Sequence, residues 1–108
     1  MSNDGKVTID KQVISTVAYL TALAVPGVAS LGGGWTSGLA DFFSKGITRG
    51  VRLKFEEESA ILNLSLNVEY GVDLVEIGRR VKEEVARGVT STVGLPVKEV
   101  NVMISNIT

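Results

Sequence analysis

A two-residue alternation between apolar and polar side chains in the middle of the chain constrains the fold more than any other feature. Val51, Leu53 and Phe55 alternate with basic residues, and a second alternating run covers 62–70. Residues 56–59, three glutamates and a serine, separate the two runs. Successive strand residues point to opposite faces, so the pattern predicts a hairpin with one buried and one solvated face. The residues of the second strand expected in the core are Leu62, Leu64, Leu66 and Val68.

The segment before the hairpin predicts a helix. Asp10 stands at an N-cap position, and Pro26 with Gly27 ends the helical spacing. Apolar and small residues follow two neighbouring lines, which makes the apolar stripe wide and predicts a largely buried helix. One line consists of Val13, Val17, Leu20 and Ala24, and the other of Ile14, Ala18, Thr21 and Val25.

A second helix is predicted after the hairpin. Asp73 and Glu76 have the spacing of a capping box, Gly94 ends the helix, and Pro96 prevents its continuation. On its outer face, Glu76 with Arg80 and Glu83 with Arg87 have the spacing of ion pairs. The apolar stripe expected to face the core consists of Leu74, Ile77, Val81, Val85, Val89 and Thr92.

The element order predicts an α/β (α+β) fold in two layers, within a single domain over residues 1–108. Residues 6–9 form a possible first strand after a loose tail at 1–5, and Val100, Val102 and Ile104 mark the last strand. We expect βαββαβ order, with two helices on one face of a three- or four-stranded sheet, mixed or antiparallel. If 6–9 joins the sheet, the topology is the ferredoxin-like split βαβ; otherwise αββαβ still gives two layers.

Composition argues against several chemistries. The chain contains neither cysteine nor histidine, which removes thiolate and imidazole metal ligands and the commonest general base. No spacing indicates an activated nucleophile or an acid–base couple, and the glycines at 32–34 lack the pattern of a phosphate-binding loop. We therefore expect no enzyme activity, cofactor or metal. Residues 12–40 carry no charge, but Pro26-Gly27 and the glycine run interrupt any membrane-spanning helix.

Three groups of residues are candidates for binding. The first is an aromatic segment bounded by glycines and consists of Trp35, Leu39, Phe42 and Phe43. Exposed aromatic side chains concentrate binding energy, which favours a docking surface; the alternative is that the segment packs as part of the core. The second is the charged outer face of the second helix, which base rates make a solvated surface: Arg79, Arg80, Glu83 and Arg87. The third is a basic patch that could serve a KH-like nucleic-acid module: Lys45, Arg49, Arg52 and Lys54.

The nucleic-acid alternative has two weaknesses at the level of sequence. The glycine-bounded segment 46–50 has one residue too many for the GXXG clamp of a KH module. The net charge of −1 also gives no overall basic excess. An enzyme with an unrecognised site remains a third alternative.

Motifs in three places resemble the alkaline-shock-protein family of bacterial envelope stress proteins. The opening Gly5-Lys6-Val7-Thr8-Ile9-Asp10, with Val13-Ile14 and Val25-Pro26-Gly27-Val28, is similar to the start of that family. Leu66-Asn67-Val68-Glu69-Tyr70-Gly71 resembles its central signature, and Gly94-Leu95, Val97 and Val100-Asn101-Val102 resemble its close. The resemblance covers about residues 5–107. The second helix departs from the family pattern, because residues 73–76 lack the usual proline.

The resemblance implies a function without chemistry. Family members are cytoplasmic proteins of Gram-positive-type bacteria that lie at the inner face of the membrane, held by an integral membrane protein. They self-associate and are linked to alkaline and cell-wall stress, and the family has no established enzyme activity. We therefore expect a non-enzymatic, self-associating scaffold or adaptor, with itself and a membrane anchor or related family member as partners, and no small-molecule substrate.

Overall fold

The structure is a computed structural model, and it describes residues 10–32 and 50–108. The tail at 1–5, the strand expected at 6–9, the aromatic segment 35–43, and Lys45 and Arg49 of the basic patch lie outside these residues. In chain order, the elements are α1 Lys11–Leu23, β1 Val28–Leu31, β2 Val51–Glu56, β3 Ser59–Val68, α2 Leu74–Val93 and β4 Val97–Ile107.

The sheet has four strands and is built around β3. β4 runs parallel to β3 and pairs with it from Ala60 to Val68, which occupies one edge of β3 completely. β1 and β2 are both antiparallel to β3, so they share its other edge end to end. The two-layer α+β fold with a mixed sheet is therefore confirmed, and β1 is a strand that the sequence analysis did not predict.

β1 and β2 meet at Ser65. The amide of Gly32 donates to the carbonyl of Ser65 at 2.9 Å, and the amide of Ser65 donates to the carbonyl of Gly50 at 2.8 Å. The Ser65 side chain is fully buried and donates to the Gly32 carbonyl at 3.1 Å. Its hydroxyl also hydrogen-bonds the hydroxyl of Ser105 on β4. One residue of the central strand therefore contacts both edges of the sheet.

The predicted register of the hairpin is confirmed. Leu62, Leu64, Leu66 and Val68 are fully buried and belong to a core that includes residues of both helices. On the opposite face, Asn63 and Asn67 are half-buried, as expected for a solvated side. Ser65 is fully buried because its hydrogen bonds are made inside the structure, and the apolar Ile61 on the same face is 9% exposed. The alternation thus predicts which side chains face the helices but not the burial of this serine.

The first helix begins as predicted but is not largely buried. The Asp10 carboxylate accepts the amide of Gln12 at 2.8 Å. Ile14, Ala18 and Ala22 are fully buried and Val17 is partly buried against the core, while Val13 is 47% exposed and Leu20 54% exposed. The expectation of burial all along the wide stripe is wrong, because a helix on a two-layer sheet covers only one side.

The second helix matches its predicted ends. The Asp73 carboxylate accepts the amides of Val75 and Glu76, both at 3.1 Å, and Gly94 forms the C-cap. The centre of the predicted stripe is buried: Ile77, Val81, Val85 and Val89. Its two ends, Leu74 and Thr92, are exposed.

Candidate association surface

The charged outer face of α2 is bonded mainly within the helix. Arg79 is bonded to Glu76, with Nη2 to Oε2 at 2.6 Å, and to Glu83, with Nη1 to Oε2 at 2.8 Å. Arg87 is bonded to Glu84 at 2.9 Å. The predicted pairs of Glu76 with Arg80 and of Glu83 with Arg87 are replaced by these neighbours.

These exposed pairs shift proton affinities without creating a reactive group. The hydrogen bond from Arg79 holds the pKa of Glu76 below its usual value, and Glu76 in turn raises the pKa of Arg79. All of the carboxylates are surface groups in contact with water, where ion pairs contribute little to stability. The arrangement is that of a solvated helix face, as the sequence suggested for Arg79, Arg80, Glu83 and Arg87.

The described half of the basic patch lies on the sheet. Arg52 pairs in register with Asn63, and Lys54 pairs with Ile61, on the face opposite the helices. Both basic residues are exposed. Each sits on a β-strand rather than on a glycine-bounded loop between helices, so the described part of the patch does not form the backbone clamp of a KH module.

Little in the described part of the chain suggests a catalytic or metal centre. Residues 10–32 and 50–108 contain no group of three His, Cys, Asp or Glu that could hold a metal ion. Glu57 and Glu58 occupy the hairpin turn, and Glu57 has a φ of 58°. Both side chains are exposed, as is usual for a hairpin turn between two strands.

Several exposed apolar side chains lie at the start of α2 and on β4. Val75 is 83% exposed and Leu74 39% exposed at the start of α2. Met103 is 38% exposed and Ile107 50% exposed on β4, and Tyr70, 86% exposed, donates its amide to the carbonyl of Thr108. Met103 pairs with Ser65 and therefore lies on the face of the sheet away from the helices, whereas Leu74 and Val75 line one groove with Val102 and Ile104. An exposed apolar surface of that kind is typical of a binding site.

A groove runs between α2 and β4 inside this group. It has a volume of about 390 Å³ and is lined by Leu74, Val75, Gly78, Arg79, Lys82, Val102 and Ile104. A Cβ placed on Gly78 would meet no atom within 4 Å, so the groove is open above the helix at that point. We call the groove and the adjoining β4 edge the β4 surface.

Sequence reasoning did not find the β4 surface. Leu74 was predicted as core, and Val102 and Ile104 were predicted as ordinary strand residues. The available signal was Val75, an apolar residue that departs from the buried stripe of the second helix. The predicted aromatic site at 35–43 lies outside the described residues and stays a prediction.

The polar face of the sheet completes the description of the surface. Asn101 donates to Asn63 at 3.0 Å and to Glu99 at 3.2 Å, and Asn67 donates to Ser30 at 2.9 Å. Asn63 and Asn101 link β3 to β4, and Asn67 and Ser30 link β3 to β1. With Arg52 and Lys54 of β2 on the same side, this face is polar and charged, unlike the apolar surface beside α2.

Within the described residues, no helix combines the length and the apolar character needed to cross a membrane.

Comparison with known proteins gives two kinds of likeness. The chain is 27% identical over 104 residues to the Bacillus subtilis protein YqhY, and this alignment covers 95% of this chain and 77% of YqhY. It is also 27% identical over 106 residues to YloU of Bacillus subtilis, covering 95% of this chain and 88% of YloU. Both relatives carry the description of uncharacterized proteins, so they lend no activity to this chain.

The likeness to solved structures concerns the fold. One structure of the MamM CTD has a TM-score of 0.56 and 13% sequence identity, and the match covers 90% of this chain and 98% of that chain. Another MamM CTD structure has a TM-score of 0.54 and 14% identity, over 89% of this chain and 82% of that chain. At this identity, the similarity supports the two-layer architecture and nothing about ligands.

A family model matches the chain over residues 1–108, and its description is a cell envelope-related function. The match confirms the resemblance seen in the opening, central and closing motifs. The chain therefore belongs to the alkaline-shock-protein family.

Proposed function

We propose that this protein is a non-enzymatic scaffold or adaptor that associates with itself and with an envelope partner at the cytoplasmic face of the membrane. The observation that carries the proposal is the exposed apolar β4 surface in a member of an envelope-related family. Such a surface fits a protein whose task is binding. The charged and polar groups of the described residues form no catalytic arrangement that would favour an enzyme over a binding protein.

Membrane attachment would then come through a partner. The described part of the chain holds no helix able to span the bilayer. α2 carries acidic and basic residues in alternation, not the basic face with which amphipathic helices lie on anionic membranes. An integral membrane protein that holds this chain at the envelope supplies what its own surface lacks, in a response to alkaline or cell-wall stress.

Crosslinking in the native cell tests the proposal. Cells are treated with a crosslinker, the membrane and cytosolic fractions are separated, and the chain is captured from each. We expect the chain in the membrane fraction, in products that contain a second copy and a membrane protein. Washing the membranes with high salt or carbonate distinguishes a protein-held chain from one inserted in lipid. Recovery only as an uncrosslinked cytosolic chain would contradict the proposal.

A further inference from the structure

The outer edge of β4 has no strand beside it among residues 10–32 and 50–108. The strand is 11 residues long, from Val97 to Ile107. An edge strand presents a row of backbone N–H and C=O groups that another strand can pair with. Exposed apolar side chains of Leu74, Val75 and Met103 flank this row, so pairing there would bury them as well.

We propose that β4 pairs antiparallel with β4 of a second copy of this chain, around a two-fold axis at Val102. The inference deepens the proposed function and rests on it, because it assigns self-association to one surface. The two sheets become one continuous sheet. Both α2 helices then lie on the same face, on either side of the joined strands, with the grooves at Gly78 facing each other.

The side chains of β4 favour this register. Antiparallel neighbours must lie on the same face, and an axis at Val102 puts Val100 opposite Ile104 and Val102 opposite itself. Every side chain paired on the helix face is then apolar. Moving the axis to Asn101 or to Met103 would still pair two of these three side chains, but it would leave Ile104 or Val100 opposite a residue outside the regular stretch Glu99–Ile104. The strand is therefore most complementary to itself when centred on Val102.

Irregularities bound the regular part of the strand. The pairing of β3 with β4 shifts by one β4 residue at Lys98 and again at Ser105. Between these two shifts, Glu99–Ile104 pairs with β3 without interruption. This stretch contains Val100, Val102 and Ile104, the side chains of the proposed contact. Bulges twist an edge away from pairing, so they confine the contact to this central stretch.

Charges on the adjoining helix face are compatible with a second copy. Arg79 and Lys82 are matched by Glu76 and Glu83, both of which are paired with Arg79, so these four groups carry no net charge and two identical faces can meet without a net repulsion. A strongly one-signed face would instead have indicated a partner of opposite charge.

Single cysteines test the register directly, because the chain contains no other cysteine. Val102→Cys in the purified full-length chain, treated with an oxidant or a short bismaleimide, should form a covalent dimer. Opposed Cβ atoms across an antiparallel pair lie about 4.5–5.5 Å apart, within reach of the bismaleimide. A disulfide needs about 3.5–4.5 Å and therefore forms only if the two residues are a closer, non-hydrogen-bonded pair. Val100→Cys and Ile104→Cys should each crosslink poorly alone and well when mixed.

Two matched pairs of variants test the surface without a crosslink. Gly78→Trp fills the open groove, and Val75→Glu puts a charge on an 83% exposed residue, so neither disturbs the core. By sedimentation, each should raise the dimer dissociation constant by about tenfold or more. Gly78→Ala and Val13→Glu, the latter on α1, should leave it within about twofold.

The outcomes separate this inference from the proposed function. A Val102→Cys protein that stays monomeric, or equal effects of Val75→Glu and Val13→Glu, would overturn the β4 pairing. If the wild-type chain still dimerised, the proposed function would stand with another surface. A wild-type chain that is monomeric at all concentrations and captures no membrane protein would overturn both.

Discussion

The two edges of the sheet differ in how they follow the same central strand. The β1–β2 edge is broken where Gly32 and Gly50 meet at Ser65, and its register shifts again between Val28 and Ser30. The β4 edge runs along all of β3 from Ala60 to Val68. The first edge also carries exposed charged residues, whereas apolar side chains flank the second.

This difference indicates separate roles for the two edges. Breaks, bulges and charges are the means by which proteins protect an edge from pairing with another chain. The β1–β2 edge has all three, whereas on β4 the register shifts and the charged Lys98 and Glu99 flank a stretch, Val100–Ile104, that has none of them. The comparison therefore predicts that mutations at the first edge affect folding and that mutations at the second affect association.

The largest expected effect is at the junction of the first edge. A Cβ on Gly50 would lie 2.4 Å from the amide nitrogen of Gly32, and the φ of Gly50 is 86°. Gly50→Ala combines backbone overlap with left-handed strain, so the free energy of unfolding should fall by about 2–4 kcal/mol. Chemical denaturation measures it.

Gly71 provides the control for that prediction. Its φ is 93°, but a Cβ there would meet nothing within 4 Å. Gly71→Ala should lose only the cost of the left-handed conformation, about 1–2 kcal/mol. Equal losses at the two positions would mean that the close approach of Gly32 and Gly50 does not matter.

A smaller effect is expected where the edges meet in one side chain. Ser65→Ala removes the hydroxyl that bonds the Gly32 carbonyl and Ser105, so the free energy of unfolding should fall by about 1–3 kcal/mol. Ser105→Ala should lower the free energy of unfolding by a smaller amount, because the bond from Ser65 to Gly32 survives. Denaturation of the single and double variants measures the coupling, and a greater loss from Ser105→Ala would contradict the account.

The smallest effect concerns a salt bridge that links the ends of the two edges. Lys98 on β4 donates to Glu56 on β2, which lowers the pKa of Glu56 and raises the pKa of Lys98. Because the pKa of Glu56 is lower in the folded state, the ion pair adds stability at pH values above the unfolded-state pKa, and that stability is lost as the pH falls through the folded-state pKa. The raised Lys98 pKa adds stability below its unfolded value, lost as pH rises through the folded pKa.

Glu56→Gln should therefore destabilise the protein slightly at neutral pH and not at all in strong acid. Both groups are exposed, so about 1 M salt should remove most of the effect. Thermal unfolding of Glu56→Gln beside Glu58→Gln, on the same turn, measures it. A loss that persisted in acid would come from packing and not from the ion pair.

The sequence predicted the parts of the fold whose signals are local. The alternation over 51–70 and the caps at Asp73 and Gly94 correspond to β2, β3 and α2. β1 was not predicted because its four residues, between Pro26-Gly27 and the glycine run, form a segment too short to show an alternation of apolar and polar side chains. The burial of Ser65 depends on partners 33 and 40 residues away, which no local pattern contains.

The association surface was harder to predict for the same reason. Leu74 lies on the apolar line of α2, and the sequence alone assigns it to the core. Its exposure follows from the position of α2 relative to β4, which is a property of the packed fold. Val102 and Ile104 alternate like any strand residues, and only the sheet order makes β4 an edge.

Hydrogen exchange at low and high protein concentration tests the central claim most directly, because it measures both edges in one experiment. We predict that amides within Glu99–Ile104 exchange more slowly at high concentration, while those of Val51–Glu56 do not change. Concentration-dependent protection of β2 instead of β4, or of neither edge in a chain that does dimerise, would contradict the account.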